Sequence, residues 1–277
     1  MLSLFSIAYY LFAYSLIFAL MDIACSSAEL HVLEKIATAA RSLKIDCYVI
    51  GGFVRDKILG RPTKDMDIVC IGDGILLAEE VAKQFSPQPQ VNFFKTFGTA
   101  QLKVHLDESE ELLEIEFVGA RKESYNYDSR KPTVSTGSLE DDQNRRDFTI
   151  NALAISLNKN EYGKLIDPFN GMEDLQNKIL KTPLEPDQTF SDDPLRMMRA
   201  CRFASQLGFI IEDGTLAAIS RNAQRIKIVS KERIADELNK ILMSKKPSVG
   251  FDHLYKTGLL EIIFPQMTAL AGAEYID

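Results

Sequence analysis

Tryptophan is missing from the 277 residues, histidine occurs three times and cysteine four times. These scarcities remove several chemistries. His31, His105 and His253 share no local spacing that suits zinc. Cys25, Cys47, Cys70 and Cys201 lie far apart without a CxxC step, so they read as reduced packing thiols rather than a disulfide framework. A basic excess is missing too. Against 39 Asp and Glu stand 32 Lys and Arg, a net charge of −7, so contact with nucleic acid needs a local basic face rather than bulk charge. There is no internal repeat and no low-complexity tract. What remains is an ordinary globular composition, 46% hydrophobic and 26% charged, long enough for one large or two small domains.

Residues 1–21 form a hydrophobic extension without a single charge. The stretch is about long enough to span a bilayer, yet no Lys or Arg precedes it and nothing before Cys25 reads as a cleavage site. Three readings stay open: initiation at Met21 instead of Met1, a membrane anchor, or a signal peptide. Initiation at Met21, with a cytoplasmic protein, is the reading taken forward.

Downstream, the pattern alternates helix and strand. Ser26 and Glu29 have capping-box spacing before an apolar face of Leu30, Leu33, Ile36, Ala37, Ala40 and Leu43. Cys47 to Ile50 reads as a strand closed by Gly51-Gly52, Phe53 to Leu59 as a short helix ending at Gly60, and Asp65 to Ile71 as a strand. Gly74 to Phe85 is helical. Ala100 to Leu106 and Leu112 to Val118 make a hairpin across an acidic turn. Arg121 to Gln143 is polar and reads as a mobile loop, Arg145 to Leu157 as a helix and Lys164 to Ile166 as a short strand. From Asp192 the chain reads as all helical, near 192–207, 214–224 and 230–243, with Ser230 as an N-cap.

The segment from Gly51 to Asp67 carries the chemistry. Asp65 and Asp67, two apart on a strand, point to one face while Met66 points to the other. Two ionised neighbours repel, and holding both charged near neutral pH suggests a bound cation. Carboxylate oxygens supplemented by substrate phosphates are what Mg²⁺ prefers, so the two aspartates are the candidate metal ligands. Gly51 and Gly52 let backbone N–H groups approach a triphosphate. Arg55 has the forked guanidinium that grips carboxylate or phosphate, and Asp56 can cap or pair locally. Leu112 to Val118 offers a third acid, Glu114 or Glu116 on one face. Glu116 is preferred because it lies five residues before Arg121.

Four stretches together carry a family resemblance: Gly51-Gly-x-Val-Arg-Asp with Asp65-x-Asp67; Arg145-Arg-Asp-Phe-Thr-Ile-Asn-Ala-Leu-Ala; Asp192-Asp-Pro-Leu-Arg-Met-Met-Arg-Ala-x-Arg-Phe; and Ser230-Lys-Glu-Arg-Ile-Ala-Asp-Glu-Leu. With these the chain resembles the class II nucleotidyltransferases, the CCA-adding enzymes and bacterial poly(A) polymerases of the polymerase-β-like superfamily, from about Met21 to Leu242. The resemblance implies an α+β fold. A nucleotidyltransferase head over 22–167, with a mixed or antiparallel sheet flanked by helices, would precede a helical neck and partial body over 168–277. It implies that Asp65 and Asp67, with Glu116, are catalytic. It implies that Arg146, Asp147 and Asn151 contact the sugar and phosphates of the incoming nucleotide. Asp193 and Arg196 would read its base, Arg199 would assist them or touch the triphosphate, and Glu232 and Arg233 would stiffen the helical region. One departure is Asp192 where the family usually has Glu.

The implied activity is CCA addition to the 3′ end of tRNA from CTP and ATP with Mg²⁺. Poly(A) polymerase, an enzyme restricted to C or A, and a truncated inactive binding module are the alternatives. The acidic, helical Gly72-Asp-Gly-Ile-Leu-Leu-Ala-Glu-Glu stretch, where poly(A) polymerases carry a basic signature, favours CCA addition. Tyr125, Tyr127, Arg130 and Lys131 form a candidate element for switching from CTP to ATP.

Overall fold

The structure, a computed structural model, describes residues 21–94, 98–106, 111–126, 129–270 and 272. The uncharged extension of residues 1–20 lies outside the described residues. Among the described residues no helix is long and apolar enough to cross a membrane. The chain divides into two units. The first takes in the chain up to Arg121, with Thr136–Asp142 and Leu153–Pro168; the second takes in Lys122–Ser135, Gln143–Ala152 and the chain from Phe169.

The first unit is a mixed sheet with helices. Ser26 caps the Ser27–Leu43 helix, its hydroxyl accepting from the Glu29 N–H while the Glu29 carboxylate accepts from the Ser26 N–H. That reciprocal pair satisfies two of the donors a helix start leaves open. The strands β1 (Cys47–Ile50), β2 (Asp65–Cys70), β3 (Asn92–Phe94), β4 (Thr99–His105), β5 (Leu112–Gly119), β8 (Ala154–Ser156) and β9 (Leu165–Ile166) lie in the order β3-β4-β5-β2-β1-β8-β9. The β2–β5 pair is parallel, and the other neighbours are antiparallel. The helices Ser27–Leu43 and Gly74–Ala82 pack on each other, and the second packs on β4 and β5. Met66, Ile68, Leu102, Leu113, Ile115 and Phe117 are buried. Beyond the acids, Ile50, Val69, Ala120 and Ala154 form a small buried cluster of their own.

In the second unit the Leu195–Leu207 helix packs against Lys231–Leu242 and Pro247–Lys256, and Pro186–Asp192 packs against Asp213–Asn222.

Four sequence expectations are corrected. The polar stretch after Arg121 is not a loop: β6 (Arg121–Asn126) and β7 (Ser129–Thr136) pair as a two-stranded sheet, followed by a helix over Leu139–Asn144. A two-stranded ribbon has only edge strands, which tolerate a proline such as Pro132. Tyr127 lies outside the described residues. Arg145–Leu157 is not a helix but a turn, a single 3₁₀ turn over Thr149–Asn151 and β8. Here Asp147 bonds its neighbour's N–H instead of leaving it to a helix. The helix expected over 192–207 is two helices broken at Asp193 (φ −134°, ψ 97°), the residue before Pro194. Proline pushes its predecessor out of the helical region. The region after Asp192 also holds one short strand, β11 (Ile210–Ile211), parallel to β10 (Ile179–Leu180).

Candidate active site

On β2 the alternation is as expected: Asp65 is exposed, Met66 buried and Asp67 partly buried. The parallel register sets Asp65 beside Glu114 and Asp67 beside Glu116 on β5, while Ile50 of β1 flanks Asp67 on the other side. The two glutamates differ in their company. Glu114 is paired with Lys103 and accepts a hydrogen bond from the Gln101 amide at 3.1 Å. Glu116 is open to solvent on one side, yet partial desolvation and then the neighbouring Asp67 raise its pKa, with Arg121 opposing. Glu114 is thus neutralised within the sheet, and Glu116 is the acid that Asp67 repels.

A divalent cation suits this set. Its donors are hard carboxylate oxygens, and the like-charge pressure between Asp67 and Glu116 is what a cation relieves. Among the described residues no three His, Cys, Asp or Glu side chains close into an ion cage.

The Gly-Gly step connects β1 to the Gly52–Ile58 helix. Gly51 has φ 83° and ψ −135°, a conformation open essentially to glycine alone. Its N–H donates to the Leu153 carbonyl at 3.1 Å and is spent on the sheet rather than offered to a phosphate. Arg55 is buried and forks onto its own neighbour: Nε to Asp56 Oδ1 at 3.0 Å and Nη2 to Asp56 Oδ2 at 2.7 Å. Arg61 stands 3.6 Å from the same carboxylate. The local pairing expected of Asp56 therefore occupies the fork of Arg55, and this cluster braces the turn leading to Asp65.

The second unit gathers the remaining candidates. Asp147 is buried, and both its oxygens are engaged. Oδ1 accepts from the Phe148 N–H and the Asn151 amide, each at 2.9 Å, and Oδ2 accepts from Arg199 Nε at 2.7 Å and Nη2 at 2.6 Å. Burial alone would raise the Asp147 pKa. Arg199 and the Asn151 amide outweigh it and hold the group down to about 2. Arg146 Nη1 reaches the Asn151 carbonyl at 3.4 Å. Arg196 is buried, with Nη1 on the Thr189 carbonyl at 3.3 Å and Nη2 on the Arg145 carbonyl at 2.5 Å. Asp193 precedes the helix instead of lying in it. Its carbonyl accepts from the Arg196 N–H at 3.0 Å and its Oδ1 from the Leu195 N–H at 3.2 Å. The three-residue spacing of Asp193 and Arg196 is thus bridged by a backbone bond.

Glu232 and Arg233 are exposed at the start of the Lys231–Leu242 helix, and the same stretch holds a buried acid that sequence reasoning passed over. Glu237 is buried and accepts from Arg202 Nε at 2.7 Å. Arg202 also donates to Gln206 Oε1 at 2.9 Å and lies 4.2 Å over the Phe203 ring. The signal was present: an acid on the helix stripe with Ile241.

Known proteins share this architecture. Residues 47–181 match the poly A polymerase head domain family. Residues 208–270 match a family described as a probable RNA and SrmB-binding site of polymerase A. An A-adding tRNA nucleotidyltransferase of Aquifex aeolicus is 40% identical over 193 residues, 69% of this chain and 22% of that protein. A CCA-adding enzyme of Ligilactobacillus salivarius is 38% identical over 232 residues, 83% of this chain and 52% of that protein. A crystal structure of a tRNA nucleotidyltransferase with a primer tRNA and an incoming ATP analogue superposes with a TM-score of 0.71. Its identity is 33%, over 83% of this chain and 62% of that one. The chain thus spans at most about half the length of these two sequence relatives.

Proposed function

We propose that this chain, which belongs to the nucleotidyltransferase family of the poly A polymerase head domain, adds CMP and AMP to the 3′ end of tRNA without a template, in the cytoplasm. The observation that supports it most is the register of β2 on β5, which sets Asp67 against Glu116 with Asp65 on the same face. Asp65 and Asp67, with Glu116 alongside, would hold divalent cations, Mg²⁺ by their oxygen donors. When bound, these lower the pKa of the RNA 3′ hydroxyl and offset the charge of the triphosphate. The hydroxyl then attacks the α-phosphate of the nucleotide in line, and pyrophosphate leaves. Arg146 and Arg199 supply positive charge for the departing phosphates.

Asp193 and Arg196 would select the base. A carboxylate only accepts and a guanidinium only donates. Cytosine and adenine each show an amino donor beside a ring-nitrogen acceptor, which matches that order. Guanine and uracil show the reverse and would leave buried polar groups unpaired. The backbone carbonyls of Thr189 and Arg145 accept from the Arg196 guanidinium, which would limit its rotation when it reads a base.

A tRNA lacking CCA, incubated with each labelled nucleotide and Mg²⁺, tests the reading. Sequential C, C and A incorporation that vanishes in Asp65→Ala is expected; long A tails or incorporation of G or U would reject it. A second reading, addition of A alone, is favoured by the A-adding name of the Aquifex aeolicus relative. A tRNA already ending in CC would then be the only substrate.

A further inference from the structure

Cys47 opens β1 and Cys70 closes β2, and the antiparallel register sets them directly opposite each other. Beside them the Ile71 N–H donates to the Asp46 carbonyl at 2.8 Å. The backbone groups of the cysteines turn elsewhere. The Cys47 N–H donates to Asn158 Oδ1 at 2.9 Å, its carbonyl accepts from the Leu157 N–H at 3.1 Å, and the Cys70 carbonyl accepts from the Ala120 N–H at 2.7 Å. This is the non-hydrogen-bonded kind of antiparallel pair, in which facing α-carbons lie about 4.5 Å apart and the side chains come closest. A disulfide spans roughly 4.4–6.8 Å between α-carbons, so the spacing suits one. Both side chains share the sheet face of Val49, Met66 and Ile68, opposite to that of Asp67. Both thiols are free and 0% exposed. Burial and then the Cys70 thiol raise the pKa of Cys47, and burial pushes Cys70 up to about 12. Nothing in the proposed transfer uses either residue.

The geometry points to Cys47 and Cys70 as the site of a reversible cross-strand disulfide, with a small-molecule disulfide such as glutathione disulfide as the oxidant. One cysteine thiolate attacks a sulfur of glutathione disulfide and releases a glutathione thiolate. The second cysteine attacks the protein sulfur of that mixed disulfide and releases the other. The protein loses two hydrogens, and the two released thiolates take up the two protons. Buried thiols that keep their protons react slowly, so exchange proceeds when the strand ends that carry them fray. The reduced pair is the resting state in a reducing compartment. Under a more oxidising poise the bond closes a loop over the 22 intervening residues, which include Gly51, Asp65 and Asp67. The staple therefore guards the segment that carries the glycine turn and both aspartates. Cys25 precedes the first helix and Cys201 lies on the Leu195–Leu207 helix, so neither has a cysteine facing it across a strand pair.

The test holds the full chain in glutathione buffers of rising oxidised fraction, at a urea concentration just below its unfolding midpoint so that opening is fast. Free thiols are then trapped by alkylation, and the chain is mapped without reduction by mass spectrometry. One cross-link joining Cys47 to Cys70 is expected, with a mass lower by two hydrogens, and dithiothreitol removes it. After urea is withdrawn the oxidised form melts about 5–10 °C above the reduced one, the gain for a closed loop of this length. In Cys70→Val the link is gone and glutathione disulfide no longer moves the melting temperature, whereas Cys25→Ala keeps both effects. A chain that carries only glutathione adducts, a link through Cys25 or Cys201 in place of the Cys47–Cys70 bond, or a linked protein that melts no higher than the reduced form would each overturn the assignment. All of these readouts are independent of nucleotide transfer.

Discussion

Replacing Glu237 with alanine isolates the buried pair that ties the Leu195–Leu207 helix to Lys231–Leu242. Glu237 is 3% exposed and Arg202 9%, so both charges sit out of water and their contact at 2.7 Å is poorly screened. Removing one member of a buried pair leaves the other desolvated and typically costs about 3–5 kcal/mol. Two features pull the value to the lower part of that range. Arg202 keeps its bond to Gln206 and its place over Phe203, and the opened volume lies beside Lys240, whose own ammonium is 3.7 Å from Glu237 and largely exposed. A destabilisation of about 3 kcal/mol is therefore expected, or roughly 6–12 °C in Tm at 2–4 °C per kcal/mol. Urea titration and thermal unfolding followed by circular dichroism measure it. The double variant Arg202→Met, Glu237→Leu decides the reasoning, because apolar replacement of both partners removes the desolvation cost together with the attraction. It should recover most of the loss. A single variant that costs less than about 1 kcal/mol, the level of an exposed pair, would refute the claim that this contact is buried and electrostatic. A double variant as unstable as the single would refute the claim that the unpaired charge is the cause.

Gly51→Ala places a side chain at φ 83°, ψ −135° and should cost about 1–3 kcal/mol of stability, with loss of nucleotide incorporation because the turn between β1 and the following helix must shift; unchanged unfolding would contradict it. Glu116→Gln removes a carboxyl whose folded pKa is raised. A raised acid makes the folded state most stable below its ordinary range and less so as pH rises, so at neutral pH and without divalent ions the variant should gain, after discount for solvent screening, no more than about 0.5 kcal/mol. That gain should disappear below the ordinary glutamate range while incorporation is lost at neutral pH; a destabilised variant would count against repulsion from Asp67. Asp147, held down to about 2 from 3.8, has the opposite sign. Its contribution, on the order of 2 kcal/mol, is present above pH 4 and is lost as pH falls toward 2, a steepening of acid unfolding that Asp147→Asn should abolish.

Local periodicity made part of this molecule readable. Asp65-Met66-Asp67 alternates because a strand alternates, and Ser26 with Glu29 caps because a helix start leaves donors at that spacing; neither depends on distant residues. Proline was legible and was passed over: Pro194 places Asp193 outside the helix. Features built from separated segments were not legible from pattern. Asp147 and Arg199 are 52 positions apart and Arg202 and Glu237 are 35 apart, and no local period pairs them. The β6–β7 ribbon escaped for a different reason. Its sequence carries no alternating apolar residues to announce a strand, so its polar residues imitated a loop.

The acids of this chain separate by how their charge is met. Glu237 is answered by Arg202, Glu114 by Lys103, Asp56 by Arg55 and Asp147 by Arg199 and two amides, all within the chain. Each of these residues has its role in holding a helix, a strand or an arginine in place. Asp67 and Glu116 are set side by side by the parallel register, and partial desolvation together with that proximity pushes the glutamate toward neutrality. Folding gains nothing from such an arrangement, since exchanging Glu116 for an uncharged residue would leave β5 with the same backbone bonds and the same buried Leu113, Ile115 and Phe117. Asp67 and Glu116 thus keep like charges side by side on neighbouring strands, a feature that the strand pairing itself does not require.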